Sequence, residues 1–250
     1  MCDCEGVVGG GDPANGQPDE NVNALDTMVD IVAAKSADGI HLHERGEVVL
    51  DILGNPIELG GELTVDLTGD IRVEQVNFNS TTSPRTDLSL SDLETTDQGS
   101  IKIRGASITI EEGDSDDAGV SAGGTGDILI LAINGPPGLV IYHADIRTGS
   151  GNITLSSELE VRGFADVTTT DGTALIEGGF QPVYLEGGTV INSGNGNVRI
   201  ASRGADIFLS RVIAGTGSVS IVAPGSGVID NNGDANNVTS SVLRIESGAF

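Results

Sequence analysis

Two histidines, His41 and His43, form the pattern in this sequence that most resembles a metal site. Alternation along a strand places both imidazoles on one face, within reach of a single divalent ion. Glu44 follows directly, but no third ligand on the same face can be identified from the sequence. The pattern is more typical of an exposed strand, so these residues give no firm metal site.

Two acidic loops suggest calcium, because hard cations prefer carboxylate oxygens in glycine-containing turns. Neither loop has the twelve-residue spacing of an EF-hand or the glycine- and aspartate-rich nonapeptide of calcium-binding rolls. Calcium is therefore the one cofactor considered, and no other cofactor is expected. The candidate ligands are Asp114, Asp116, Asp117, Asp230 and Asp234.

An enzyme acting on sugars would need two carboxylates about 5–10 Å apart across the substrate. Acidic residues at outward strand positions are numerous but scattered over the predicted faces, and no Ser-His-Asp or Cys-His pattern can be assembled. We therefore expect no catalytic residues and no enzymatic activity. The scattered acids are Asp127, Glu158, Glu160 and Asp206.

The overall charge is strongly negative, with 37 acidic and 12 basic residues giving a net charge of −25. Such a surface disfavours nucleic acid as a partner, because phosphate binding needs clustered Lys and Arg. No apolar stretch is long enough to span a membrane. The two cysteines, Cys2 and Cys4, are too close in sequence for an unstrained disulfide, so the fold does not depend on one.

A five-residue unit, glycine followed by alternating polar and apolar residues, recurs along the chain. Successive glycines are 30, 27, 25, 21, 24 and 21 residues apart. Alternation sends the apolar residues inward, and glycine suits a corner that needs a positive φ or a close backbone approach. Repeats of this length predict an all-β fold, a right-handed parallel β-helix (β-solenoid) of about nine coils of 21–30 residues. The glycines are Gly69, Gly99, Gly126, Gly151, Gly172, Gly196 and Gly217.

One inward position of each repeat is expected to stack on the next coil. A second set of strands advances by 24 residues, from Leu159 to Val183 to Ile207. Shorter segments at 189–191 and 227–229 are predicted to fill the third side. The inward column is predicted to contain Ile101, Ile128, Ile153, Val198 and Val219.

The domain organisation follows from where the strand pattern starts. Residues 1–24 are rich in Gly, Asp and Pro and predict a flexible lead-in, whereas residues 25–250 predict a single solenoid within a longer exported protein. The alternative fold is an antiparallel β-sandwich array. It would require hairpin-length spacings and core aromatics, and the chain has no Trp and only two Tyr.

The repeated glycine units resemble the β-helical repeat regions of secreted surface proteins of the filamentous haemagglutinin type. Connecting segments at 167–173 and 212–218 share the resemblance, which covers about residues 28–250. It implies an extracellular or cell-surface scaffold or adhesin without catalytic coils. Its partners would be other copies, associating end to end as a filament, or glycans and proteins of a host or cell surface. The alternative is a polysaccharide-binding or polysaccharide-cleaving β-helix. Outward residues expected to be mostly Ser, Thr, Asp, Asn and Arg favour the scaffold.

Overall fold

A computed structural model describes most of the chain after residue 97. The predicted lead-in and the side chains of the early strands lie outside the described residues. Strands and turns make up the described part, and no helix in it is long and apolar enough to cross a membrane. The described residues are 25–27, 40–45, 58–59, 63–65, 71–76, 87–91, 93–95, 98–105, 107–112, 116–133 and 138–248.

The strands form three parallel sheets, one of ten strands and two of eight. From Ile40 to Thr239 each coil contributes one strand to each sheet in a fixed order. The sheets are named sheet 1, sheet 2 and sheet 3 in that order. Sheet 1 contains Leu25–Thr27, Ile40–Arg45, Ile71–Val76, Ile101–Gly105, Ile128–Ala132, Ile153–Ser157, Ala174–Gly178, Val198–Ser202, Ser218–Ala223 and Val242–Ser247. Sheet 2 contains Glu58–Leu59, Asp87–Ser91, Ser107–Glu111, Leu139–Tyr142, Glu160–Gly163, Val183–Leu185, Ile207–Leu209 and Val228–Asp230. Sheet 3 contains Leu63–Val65, Leu93–Thr95, Ala118–Ala122, Asp145–Thr148, Val167–Thr169, Val190–Asn192, Arg211–Ile213 and Val238–Thr239.

The predicted all-β parallel solenoid is confirmed. About six turns lie between the strand Ile101–Gly105 and the strand Val242–Ser247, compared with about nine predicted from residue 28 onward. Before Ile101 the structure describes only separate strands, so this count covers the later part of the chain. The spacing within these turns follows the glycine repeat, since Ile101 pairs with Ile128 and Ile128 pairs with Ile153.

The interior is a stack of aliphatic columns, one column for each inward position. Ile101, Ile128 and Ile153 are at most 1% exposed, and their strands alternate between buried and half-buried residues. Burying one such side chain contributes roughly 1.5–3 kcal/mol, so the columns supply most of the driving force for stacking. The main column of sheet 1 runs through Ile71, Ile101, Ile128, Ile153, Ala174, Val198 and Val219.

The repeated glycines lie where the backbones of neighbouring coils approach closely. A Cβ on Gly151 would overlap the carbonyl oxygen of Gly126, and the same overlap recurs at Gly126, Gly172, Gly196 and Gly217. None of these five has a positive φ. Of the two reasons expected from the sequence, the close approach of backbones is therefore the one that requires glycine.

Buried hydroxyls complete this corner by binding the glycine carbonyls. Thr148 Oγ1 donates to the carbonyl of Gly126 at 2.6 Å, and Thr169 Oγ1 donates to that of Gly151 at 2.8 Å. Each bond satisfies a backbone acceptor that the sheet ladders leave unused. The turn between sheet 3 and sheet 1 is therefore fixed by a glycine and a hydroxyl in successive coils.

Two register predictions need correction. The sequence predicted that Val183 stacks on Leu159, but Val183 pairs with Val161. Leu159 lies in the bend before the strand Glu160–Gly163. A shift of two residues keeps the same alternation, so the sequence pattern alone could not distinguish the two partners. The segment at 227–229 overlaps the strand Val228–Asp230, which belongs to sheet 2 and not to the third side.

Sheet 3 was the face that the sequence pattern described least. The segments predicted as connections at 167–173 and 212–218 contain the strand Val167–Thr169 and most of the strand Arg211–Ile213. These strands have three residues each, with one or two buried positions. Alternation over so short a stretch is too weak a signal to identify a strand.

Tyr142 is the one aromatic side chain in the described core. It is fully buried, its hydroxyl has no hydrogen-bond partner, and a Cβ on Gly163 in the next coil would overlap its ring. Burial raises the pKa of Tyr142, with smaller contributions from Asp166 and Asp145. The hydroxyl is thus a polar group without compensation in an apolar column.

We expect Tyr142→Phe to raise the free energy of unfolding by about 1 kcal/mol, because it removes an unsatisfied buried hydroxyl. Thermal melting followed by circular dichroism measures the change. Tyr184→Phe, which alters an outward and half-buried tyrosine, is the matched control and should leave the melting temperature unchanged. A lower melting temperature for Tyr142→Phe would show that the hydroxyl stabilises the core.

Candidate binding surface on sheet 2

The predicted metal ligands are only partly within the described residues, and the side chains of His41 and His43 lie outside them. His41 and His43 lie in the strand Ile40–Arg45, where the backbone pairs them with Arg72 and Glu74. No group of three His, Cys, Asp or Glu residues that could hold a metal ion occurs in the described part of the chain. Asp114 lies outside the described residues.

The two acidic loops lie at the same corner of the solenoid, between sheets 2 and 3, but five turns apart. At the spacing of parallel strands they are separated by about 24 Å, so they cannot share an ion. Asp116 and Asp117 are exposed, and Asp116 Oδ1 accepts a hydrogen bond from the Ala118 amide at 2.7 Å. This loop therefore closes on its own backbone.

The second acidic loop also uses its carboxylate internally. Asp230 Oδ1 accepts hydrogen bonds from Asn237 Nδ2 and the Asn232 amide, both at 2.8 Å. The Asn237 bond, followed by the Asn232 bond, lowers the pKa of Asp230. Asp234 is exposed. The calcium hypothesis thus has no defined set of ligands among the described residues.

Two of the four scattered acids link neighbouring coils, and a third pairs with an arginine of its own strand. Asp127 Oδ1 accepts from the Asn152 amide at 2.7 Å, and Asp206 Oδ1 accepts from the Gly227 amide at 2.7 Å. Glu160 Oε1 accepts from two nitrogens of Arg162, at 2.6 and 3.0 Å. These contacts give the three carboxylates partners within the solenoid itself.

The feature that distinguishes one face is a column of large outward side chains on sheet 2. Register places one residue of each coil beside the next, so the column runs parallel to the solenoid axis. The rings of Tyr184 and Phe208 are 5.3 Å apart between centroids and tilted by 48°. We name this column the aromatic row; it consists of Ile141, Arg162, Tyr184, Phe208 and Ile229.

Further aromatic groups lie along the two borders of the aromatic row. His143 and Phe164 follow successive strands of sheet 2 and stack, with centroids 4.7 Å apart and planes within 11°. Phe180 precedes the strand of Tyr184 and is 69% exposed. Outside the strand Val242–Ser247, the exposed large hydrophobic residues of the described chain are Phe164, Phe180 and Ile229. All of them lie on or beside sheet 2.

The outward columns of the other two sheets have a different composition. In the described residues they contain no aromatic side chain. The matching column of sheet 1 is Lys102, Leu129, Thr154, Leu175, Arg199 and Ser220. That of sheet 3 is Ser121, Arg147, Thr168, Asn192 and Ile213. The sequence analysis predicted short polar outward residues. Sheet 3 agrees best with this prediction, and sheet 2 agrees least.

Two arginines close to the aromatic row form ion pairs. Arg162 bonds to Glu160, and at the border with sheet 3 Arg147 Nη2 lies 2.8 Å from Asp145 Oδ2. Asp166 lies beside this second pair, and its pKa is raised mainly by burial, with Asp145 adding to the effect. The surface thus presents rings and hydrogen-bonding groups without an excess of positive charge.

Comparisons with protein-family models, curated proteins and solved structures gave no match. Function is therefore argued from the geometry of the solenoid and from the composition of its faces. The aromatic row could have been detected in the sequence, because Tyr184 and Phe208 occupy the same position of strands 24 residues apart.

Proposed function

We propose that the chain is a structural or adhesive scaffold, a rod-like segment of an extracellular surface or filament protein of the filamentous haemagglutinin type. The observation that carries this proposal is the continuous parallel register of three sheets around one aliphatic core. Repeats that stack in this way form a stiff element and present their outward side chains at regular intervals.

A non-catalytic role is consistent with how the described polar groups are used. Asp127, Asp206 and Glu160 bind amides or an arginine in the solenoid itself. End-to-end association of copies is the self-assembly predicted from the sequence, because the unpaired strand edges of one copy can pair with those of another.

The second candidate is a polysaccharide-binding β-helix, and one observation favours it. A ligand-binding solenoid should carry long or aromatic side chains on one face, and sheet 2 has this composition. The two candidates are compatible, because an adhesive rod needs a recognition surface.

Labelling of intact source cells with an antibody against the solenoid tests the extracellular proposal. We expect label on unpermeabilised cells, and negative-stain electron microscopy of the purified chain should show elongated particles. Label that requires permeabilisation would contradict the surface location. Filament formation would be refuted by monomers at every concentration in light scattering.

A further inference from the structure

We propose that the aromatic row binds an extended, uncharged polysaccharide that lies parallel to the solenoid axis. The inference builds on the proposed adhesive function and names the binding surface and the class of ligand. Three properties of the row support it: its linear repeat, its mixture of rings and polar groups, and its charge.

The row is linear and repeats once per coil. Tyr184 and Phe208 are adjacent, with ring centroids 5.3 Å apart, and Ile229 continues the column in the next coil. At the usual strand spacing the five side chains span about 19 Å. A polymer of similar units can contact several of these positions in succession, whereas a compact small molecule is usually held in a concave pocket.

The chemical groups of the row suit a ligand with both apolar and hydroxyl surfaces. The rings of Tyr184 and Phe208 offer apolar faces, and the phenol of Tyr184 adds a hydrogen-bonding tip. Arg162 and Glu160 supply donors and acceptors in the neighbouring coil. Pyranose rings have this same combination of C–H faces and hydroxyl edges, and they carry no charge unless they are modified.

Charge then narrows the choice of partner. A chain with a net charge of −25 repels anionic polymers and also a second copy of itself at this face. Arg162 is neutralised by Glu160, so the row holds no cationic centre that would reverse this repulsion. The uncharged members of the polysaccharide class are therefore the ligands that the surface fits.

Exposure of the flanking rings adds an independent argument. Phe180 is 69% exposed and Phe164 is 38% exposed, and with Ile229 they are the exposed large hydrophobic residues of the described chain outside the strand Val242–Ser247. Clustered exposed apolar groups of this kind mark interaction surfaces. Both rings border sheet 2, so a polymer on the aromatic row would cover apolar surface on either side of it.

Affinity electrophoresis in native gels tests the proposal with four soluble uncharged probes: hydroxyethyl cellulose, amylose, galactomannan and dextran. We expect at least one of them to retard the wild-type chain relative to a gel without polysaccharide. Tyr184→Ala and Phe208→Ala should each raise the dissociation constant by about fivefold or more, as expected for loss of one ring contact. Tyr184→Phe keeps the ring and should retain most of the binding.

Leu175→Ala is the matched control, because Leu175 is an outward, half-buried residue of sheet 1 in the same coil as Tyr184. It should bind like the wild type. Circular dichroism melts of every variant separate loss of binding from loss of folding.

A fifth gel contains polygalacturonate as the anionic comparison. The proposal would be overturned if none of the four uncharged polysaccharides retards the chain, whether or not polygalacturonate does. It would also be overturned if both alanine variants are retarded as strongly as the wild type. Failure here can be separated from failure of the scaffold function. Cells that carry the surface label while the purified chain binds no polysaccharide would refute this site alone.

Discussion

Replacing Gly151 by alanine is expected to lower the free energy of unfolding by about 3 kcal/mol or more. The added Cβ would overlap the carbonyl oxygen of Gly126 in the preceding coil. That carbonyl is held by the hydroxyl of Thr148, so neither backbone can move without breaking a buried hydrogen bond. Because each coil is stabilised by its two neighbours, a forced separation in the middle of the solenoid weakens both interfaces.

Gly204→Ala is the matched control for this prediction. The nearest side-chain atom to its added Cβ would be Phe180 Cδ1 at 3.4 Å, an ordinary contact, and Gly204 does not have a positive φ. Thermal and urea melts of the two variants should therefore differ, with Gly204→Ala close to the wild type. Equal stability of Gly151→Ala and the wild type would show that the coils are farther apart at this corner than the structure places them.

The glycine repeat explains why the main register of sheet 1 could be predicted from the sequence. Glycine is required once per coil by the close approach of backbones. Two residues after each repeated glycine comes an inward Ile or Val, or Ala in the case of Ala174. The pairs Ile101–Ile128 and Ile128–Ile153 therefore follow directly from the spacing of the glycines. Insertions between the glycines lengthen the loops, but the residues two positions after successive glycines still pair with one another.

Where no such marker exists, prediction from sequence was less accurate. Sheet 2 has no glycine in a constant position, so Leu159 and Val161 were equally good partners for Val183, and the structure selects Val161. The three-residue strands of sheet 3, such as Val167–Thr169, are held by their neighbours in adjacent coils. These strands are stabilised by pairing with adjacent coils, so the local sequence alone does not predict them.

The candidate binding surface depends on a register of sheet 2 that the sequence did predict. The predicted step of 24 residues from Val183 to Ile207 agrees with the observed pairing, and it places Tyr184 beside Phe208. The composition of the acidic loops suggests calcium, which stays a prediction. In the structure Asp116 and Asp230 accept hydrogen bonds from amides of their own turns. Composition identifies groups, but their neighbours in adjacent coils decide what those groups can bind.

The second large effect is expected in the aliphatic core, where Ile153→Ala should lower the free energy of unfolding by about 3–5 kcal/mol. Ile153 is fully buried between Ile128 in the preceding coil and Ala174 in the following one. Because the next residue in the column is already an alanine, the small neighbour cannot fill the space that the truncation leaves. The free-energy cost of the cavity then adds to the free energy lost because less apolar surface is buried.

Thr154→Ala is the control for the same strand, because Thr154 is outward and half-buried, and we expect it to cost less than about 1 kcal/mol. Leu243→Ala tests the end of the described ladder: Leu243 continues the column above Val219 but is 48% exposed, so its truncation removes less buried area. Urea denaturation of the three variants should rank their losses as Ile153, then Leu243, then Thr154. A loss at Leu243 equal to that at Ile153 would contradict the exposure seen at the last strand, and would indicate that this column remains covered in solution.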